Sequence, residues 1–404
     1  VFFLMDGSLQ SFLSIFGIFL RLGLTSFGGP VAHIGYFHQA LVIERRWLDD
    51  QRFAELLALC QFMPGPASSQ LGFAIGLEKG GLSGGLAAWL GFTLPSALLM
   101  LIFAWLSLSI DAFAENGLHG LVVAAVAVVT LAVWQMGQKL CETWPKRGIA
   151  LLSALLMLNL AGLYAQIAVI LIGAVLGGLW LKPAASTARV GQSGVNPVPP
   201  GTAKVAAALF AALLLFSLAP LGATWPLVAQ LADLYRSGAL VFGGGHVVLP
   251  LLESEFVQSA RLSEQSFMTG YGAAQALPGP LFSFAAYLGA MSSVLPGGFL
   301  GALLGGLCAL LAIFLPGLLL VIVAMPLWQR LQHHKGLNGI LAGVNAAVVG
   351  LLGAALYDPL WLHGILGWSD VLLALAAFLA LLSKKVPVVW VVLITGVIPL
   401  AFGQ

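Results

Sequence analysis

Residues Ala58–Gln70 read ALCQFMPGPASSQ, a proline-glycine-proline triplet set inside an apolar run. Proline removes an amide donor and clashes with the preceding turn, so a helix entering this stretch breaks at Pro64, Gly65 and Pro66. The half-helix restarting after Pro66 aims the free amides of Ala67, Ser68 and Ser69 at the break, and helix N-termini attract anions. The element returns as QALPGP at Gln275–Pro280, 214 residues later, with Phe282 and Ser283 following Pro278, Gly279 and Pro280. Crossings are therefore expected at about 53–78 and 266–293, each built of two half-helices meeting near the midplane. A single copy is equally explained by a kink that fits a helix to its neighbours; two copies at matching places favour a built site.

Working outward, the flanking elements repeat as well. RLGLTSFGG at Arg21–Gly29 matches RSGALVFGG at Arg236–Gly244, an offset of 215, and LPS at Leu94–Ser96 matches LPG at Leu315–Gly317, an offset of 221. Three matches in one order indicate an internal duplication, the usual construction of transporter folds. The 404 residues are 60% apolar and 8% charged, against about 25% charged in soluble proteins, and the mean hydropathy is +1.01. A soluble globular domain is excluded. With 49 Gly and 20 Pro, a bundle of uninterrupted helices is excluded too. A formal net charge of +2 without any basic block gives no footing for nucleic acid. Cys60, Cys141 and Cys308 form neither a CxxC nor a metal spacing. The N-terminal stretch, lacking a basic region and a small-residue cleavage site, reads as a first membrane helix.

Apolar runs of bilayer length, about 20 residues, fall at roughly 9–27, 85–109, 118–140, 226–244, 299–325 and 337–357. The stretches 148–181 and 364–403 are too long for one crossing and read as helical hairpins, turning near Gly162–Gln166 and Ser383–Pro387. A Pro-, Gly- and Ser-rich linker at Lys182–Lys204 precedes a spacer helix at about 205–219. The expected organisation is a first repeat over 1–181, linker and spacer over 182–219, and a second repeat over 220–404. Lys and Arg gather in cytoplasmic loops. Lys139, Lys146 and Arg147 mark the loop at 139–147 while 110–117 has none; Arg330, Lys335, Lys384 and Lys385 mark 326–336 and 383–386 while 357–363 has none. Corresponding loops thus change sides. The pattern predicts an all-α polytopic membrane protein of two inverted-topology repeats with broken helices and 13 crossings, N-terminus cytoplasmic and C-terminus outside. Arg45, Arg46 and Arg52 fall outside in this scheme, an exception offset by Glu44, Asp49 and Asp50.

An arginine in an apolar run costs several kcal/mol unless it faces a cavity or a partner. Arg21 and Arg236 are accordingly read as anion ligands, with a carboxylate partner such as Glu55, or lipid headgroups, as the alternatives. Phe27, Gly28 and Gly29, with Phe242, Gly243 and Gly244 in the second half, either admit a ligand close to the backbone or pack helices. Gly245 and His246 come next, and His246 either assists an anion or caps a turn. His33 and His38 follow the first FGG element. Gln61 and Gln275 either donate to an oxyanion or satisfy carbonyls freed at the break. Glu55, on an otherwise apolar half-helix, is a proton-coupling candidate or an interfacial partner of Arg52 or Arg21. There is no nucleophile elbow, HExxH or P-loop, so no enzyme, cofactor or metal site is expected.

With RLGLTSFGGP, ALCQFMPGP, GGGHVVLPLLE and QALPGP in order across about residues 15–325, the chain resembles the chromate ion transporter family in its long-chain, two-domain form. The resemblance implies export of chromate across the bacterial inner membrane, driven by the membrane potential or proton gradient, with chromate resistance as the outcome and sulfate as an isosteric inhibitor. Family members often carry lysine at the positions of Arg21 and Arg236, which places charge above guanidinium shape. The expected partners are chromate or a sulfate-like oxyanion and the lipid bilayer, with a homodimer left open. The alternative is a gated anion channel or a transporter of sulfate or another oxyanion; a membrane enzyme acting on a sulfated or phosphorylated lipid is a distant third.

Overall fold

The computed structural model describes residues 2–109, 119–160, 163–181, 198–219, 225–242, 245–292, 295, 298–331, 335–383 and 385–402. Among them every regular element is helical, as hydrocarbon demands when backbone groups must be satisfied within the span. Five helical stretches are long and apolar enough to cross a membrane: Ala67–Leu108, His119–Leu140, Pro200–Ser217, Gly298–Trp328 and Asn338–Gly364. The chain is a multi-pass membrane protein.

Its centre is built of helical hairpins. Helix α1 (Phe2–Thr25) stops at SFGG, and α2 (Gly29–Phe37), prolonged by a π-helical turn at His38–Glu44, brings the chain back toward it. The Phe19 and Phe37 rings, on the two arms, meet edge-on at 5.5 Å. Helix α3 (Asp50–Phe62) stops at Met63, and α4 (Ala67–Ser109) restarts after Pro66. That long element itself turns back at Gly80 and Gly81, where the backbone leaves helical angles, giving arms α4a (67–79) and α4b (82–109). Arg52, at the start of α3, donates to Glu78, at the end of α4a. Laid end to end, the two arms would hold these residues roughly 35 Å apart at 1.5 Å per residue. Bonded, they close a hairpin whose tip is the first PGP.

The second half follows the same order. Helices α9 (Pro226–Leu240) and α10 (Val248–Phe256, entered through a 3-10 turn at Gly245–Val247) are joined across their stems by Arg236 and Glu255 at 2.6 Å. Helices α11 (Glu264–Ala276) and α12 (Phe284–Met291, entered through a 3-10 turn at Leu281–Ser283) are joined by the Tyr287 hydroxyl, which donates to the Ser266 carbonyl at 2.9 Å. The expected crossings at 53–78 and 266–293 are therefore corrected: each PGP is the tip of a hairpin, not the midpoint of a straight span. Helices α1 and α9 are hairpin arms as well.

Two long helices tie the hairpins together. From the base of the first PGP hairpin α4b passes the tips at Ser96, then reaches the base of the second, where Phe103 lies 5.7 Å from Tyr287. Helix α13 (Gly298–Leu331) starts beside the end of α4b, with Phe299 5.1 Å from Trp105, and reaches the first PGP hairpin at Gly317, whose carbonyl accepts from Gln70 at 3.2 Å. Outside this centre stand α5 (His119–Leu140), α6 (Trp144–Asn159), α7 (Leu163–Trp180), α14 (Lys335–Ala355, continued by a π-helical turn at Leu356–Trp361 and α15, Leu362–Gly364), α16 (Trp368–Leu382) and α17 (Val388–Phe402). Helix α14 packs into α6 and α7, while α5 packs into α16 and α17, so each half clasps a helix of the other. At the α7–α14 crossing a Cβ on Gly177 would stand 2.6 Å from the Gly343 Cα, the close backbone approach that small residues permit in lipid. The stretches 148–181 and 364–403 each divide into two helices as expected. The spacer, α8 (Pro200–Ser217), lies against α9 and α13. Most of the linker, the loop at 110–117, Gly162, Gly243, Gly244 and Lys384 lie outside the described residues.

Candidate functional site

Each half's PGP tip docks on the other half's FGG approach. The Gly279 amide donates to the Ser26 carbonyl at 2.9 Å, and the Gly65 amide donates to the Val241 carbonyl at 2.6 Å. Ser26 and Val241 are repeat equivalents, as are Gly65 and Gly279, so the two bonds are one contact made twice. The LPS and LPG elements complete it. A Cβ on Gly279 would meet Ser96 Oγ at 3.0 Å, and one on Gly65 would meet the Gly317 Cα at 3.3 Å. Both tip glycines also hold positive φ, +91° and +123°, which side chains resist. Ser96 Oγ lies 2.6 Å from Ser283 Oγ, and Gln70 Nε2 donates to the Pro64 carbonyl at 2.9 Å as well as to Gly317. The two FGG regions touch directly: His246 lies 3.8 Å from the Cβ position of Gly29, and Pro30 lies 3.7 Å from that of Gly245. Irregular backbone at membrane depth is tolerated only where protein covers and satisfies it, and here each half does this for the other.

Every tip is followed by a helical start, α2, α4a, or the 3-10 turns leading into α10 and α12, and the first amides of a helix have no intrahelical acceptor. Carbonyls of the incoming arms are already engaged, Ser26 and Val241 by the glycines and Leu22 by the Ser26 amide. Around the tips lie buried polar atoms that close no hydrogen bond: Ser26 Oγ, His33 Nε2, Ser69 Oγ, Thr93 Oγ1 and Gln275 Nε2. His33 is 1% exposed, and its Nδ1 lies 3.3 Å from Ser68 Oγ. An unpaired buried polar group costs about 1–3 kcal/mol.

The other expected residues divide. Pro66, Pro278 and Pro280 are buried in the tips, Pro64, Phe27 and Ala67 are half-buried, and Gly28 caps α2 at φ +97°. His246 Nδ1 lies 3.3 Å from the Tyr271 hydroxyl. Gln275 is half-buried beside its tip, whereas Gln61 is exposed on α3. Arg236, expected as an anion ligand, is engaged by protein groups. Its guanidinium donates to the Ser217 carbonyl and pairs with Asp233 and Glu255, both at 2.6 Å, so carboxylates on the hairpin stem already balance its charge. Arg21 is exposed on α1 and makes no ion pair among the described residues. Glu55 pairs with Arg52 at 2.8 Å, the interfacial alternative. Sequence reasoning passed over Gln70, Thr93 and Tyr271, and used Ser96 only as a repeat marker. The available signal was Thr93 and Ser96 at i,i+3, two polar positions on one face of an apolar helix.

The family model described as chromate transporter matches residues 13–179 and 228–400, both stretches that carry the tips. The chain belongs to the chromate transporter family. Among curated relatives of this family member, the chromate transport protein of Pseudomonas aeruginosa is 29% identical over 378 residues, covering 86% of this chain and 81% of the relative. That of Cupriavidus metallidurans is 26% identical over 374 residues, covering 91% and 87%. An uncharacterised transporter of Methanocaldococcus jannaschii is 26% identical over 393 residues, covering 96% and 94%. No solved structure matches this chromate transporter family member.

Proposed function

We propose that the protein is a secondary-active carrier that exports a tetrahedral dianion, chromate or an isostere such as sulfate, across the bacterial inner membrane and so confers chromate resistance. The observation that carries this reading is the reciprocal docking of the tips around buried, unpaired donors. A helix N-terminus is equivalent to about half a positive charge, so four converging starts supply roughly the two charges a dianion needs, without an arginine. Ser68, Ser69, His33 and Gln275 would add side-chain donors. Tips buried against the opposite half suit alternating access better than an open pore.

The accompanying topology has two inverted repeats, 1–181 and 220–404, each with two hairpins and four crossings, and α8 between them as the ninth crossing. A hairpin returns to its own side, so residues 45–52 lie with the cytoplasmic N-terminus. All 17 Lys and Arg except Arg21, Arg236 and Arg261 then fall on the cytoplasmic side, and the exception at Arg45, Arg46 and Arg52 disappears. The 2.6 Å contact of Glu264 with His363 supports this arrangement, because a straight crossing at 266–293 would put those two residues on opposite faces.

The test is uptake of chromate or sulfate by liposomes holding the purified protein, under an imposed pH gradient or potential. Concentrative flux is expected, and His33→Asn should weaken apparent affinity about tenfold or more, the equivalent of about 1.5–3 kcal/mol for a hydrogen bond to a charged group. Flux that only runs down the anion's own gradient would assign a channel, and no flux of either anion would overturn the reading.

A further inference from the structure

A cavity of about 710 Å3 lies away from the tips, walled by α5, α11, α15 and α16. We propose that this cavity binds the proton that drives transport; the inference rests on the carrier reading above. Two histidine-carboxylate pairs span it. His119 Nε2 lies 3.1 Å from Asp370 Oδ2, and His363 Nδ1 lies 2.6 Å from Glu264 Oε1. Each pair joins different helices: α5 to α16, and α15 to the start of α11.

The hydrogen positions follow from the acceptors. His363 Nδ1 also lies 3.1 Å from the Pro359 carbonyl, which cannot donate, so the ring hydrogen on Nδ1 serves Pro359. Glu264 Oε1 lies 2.6 Å from the same nitrogen, a second acceptor beside that hydrogen. Asp370 Oδ2 also accepts from the Leu366 amide at 2.9 Å, and because a carboxylate oxygen accepts, His119 donates to it through Nε2. Imidazole is the side chain that changes charge between pH 5 and 8, the range a cell's proton gradient spans. Other charged groups nearby are Glu253 from α10 and Asp358 from the turn before α15. Among the described residues, no Lys or Arg lines the cavity. Two carboxylates without a fixed cation repel an oxyanion and attract a proton, so this space is not the mouth of the anion path.

The link to the anion site is α11 itself. Glu264 opens that helix, Thr269 walls the cavity, and thirteen residues after its start the chain reaches Leu277 and the tip docked on Ser26. Occupancy by a proton alters the charge of the pair that holds α11 to α15, and so biases where the second PGP tip rests.

The experiment uses the full chain in liposomes, with sulfate and chromate as probes and a trapped pH-sensitive dye. Glu264→Gln and Asp370→Asn, at different pairs, are each expected to keep anion exchange at equal pH on both faces, which shows folded protein. Each should reduce proton movement per anion about tenfold and lose the response to a pH gradient. His363→Gln should shift the pH profile of flux. Wild-type anion flux without proton movement would overturn the proposal, as would proton movement unchanged in both carboxylate variants. Absence of any anion flux in the wild type would instead overturn the carrier reading, and this inference with it.

Discussion

Arg236→Ala should loosen the α9–α10 hairpin and leave anion affinity alone. The residue is 9% exposed and is bound to the end of α8 through Ser217, to Asp233 on its own helix, and to Glu255 on α10. Its loss strands Glu255, whose side chain is 11% exposed, whereas Asp233 keeps Arg261 at 2.7 Å. Breaking a buried ion pair from one side costs about 3–5 kcal/mol, and with one carboxylate still partnered the lower end, about 3 kcal/mol, applies. Arg236→Met combined with Glu255→Leu removes both charges and strands none, so most of the loss should return. Thermal unfolding of the detergent-solubilised protein, followed by tryptophan fluorescence, measures stability, and chromate titration of the same samples measures affinity. The single variant should melt below both the wild type and the double variant, with unchanged affinity in the folded fraction. A single variant that melts like the wild type yet binds chromate tenfold more weakly would refute this account and return Arg236 to the anion site.

Gly279→Ala should insert normally but transport poorly, since positive φ costs a side chain about 1–2 kcal/mol and the new methyl meets Ser96 Oγ at 3.0 Å and the Phe92 carbonyl at 3.2 Å; wild-type flux would mean the tip tolerates displacement. Cysteines placed at Arg46 and Arg261, in a background without Cys60, Cys141 and Cys308, should label from opposite faces of oriented vesicles, and labelling of both from one face would remove the inverted arrangement. Glu78→Gln should lower the melting temperature more than Glu55→Gln. Glu78 takes two donors of Arg52 and its side chain is 13% exposed, against one donor and 22% for Glu55, so the expected costs are about 1.5–3 and under about 1 kcal/mol. Equal effects would show that the hairpin base is not held by the Arg52–Glu78 pair.

The membrane class, the duplication, the spacer helix and the positions of both breaks could be read from the residues alone, because composition and proline sterics act locally and need no partner. The Lys and Arg pattern is what the inverted reading rests on, and with thirteen straight crossings it left Arg45, Arg46 and Arg52 as exceptions. A break after Phe62 looks the same in sequence whether the chain runs on across the bilayer or doubles back. What separates the two is a bond between Arg52 and Glu78 in the first half and between Tyr287 and Ser266 in the second, contacts between residues more than twenty positions apart that no local rule specifies. Arg21 and Arg236 make the same point: equivalent in the repeat, one is exposed and the other paired, because Asp233, Glu255 and Arg261 have no acidic and basic counterparts around Arg21. Gln70 and Ser96 came to lie at a tip only when one half was set against the other. The energy of a polar group in hydrocarbon depends on what stands opposite it, and only the folded chain determines that neighbour.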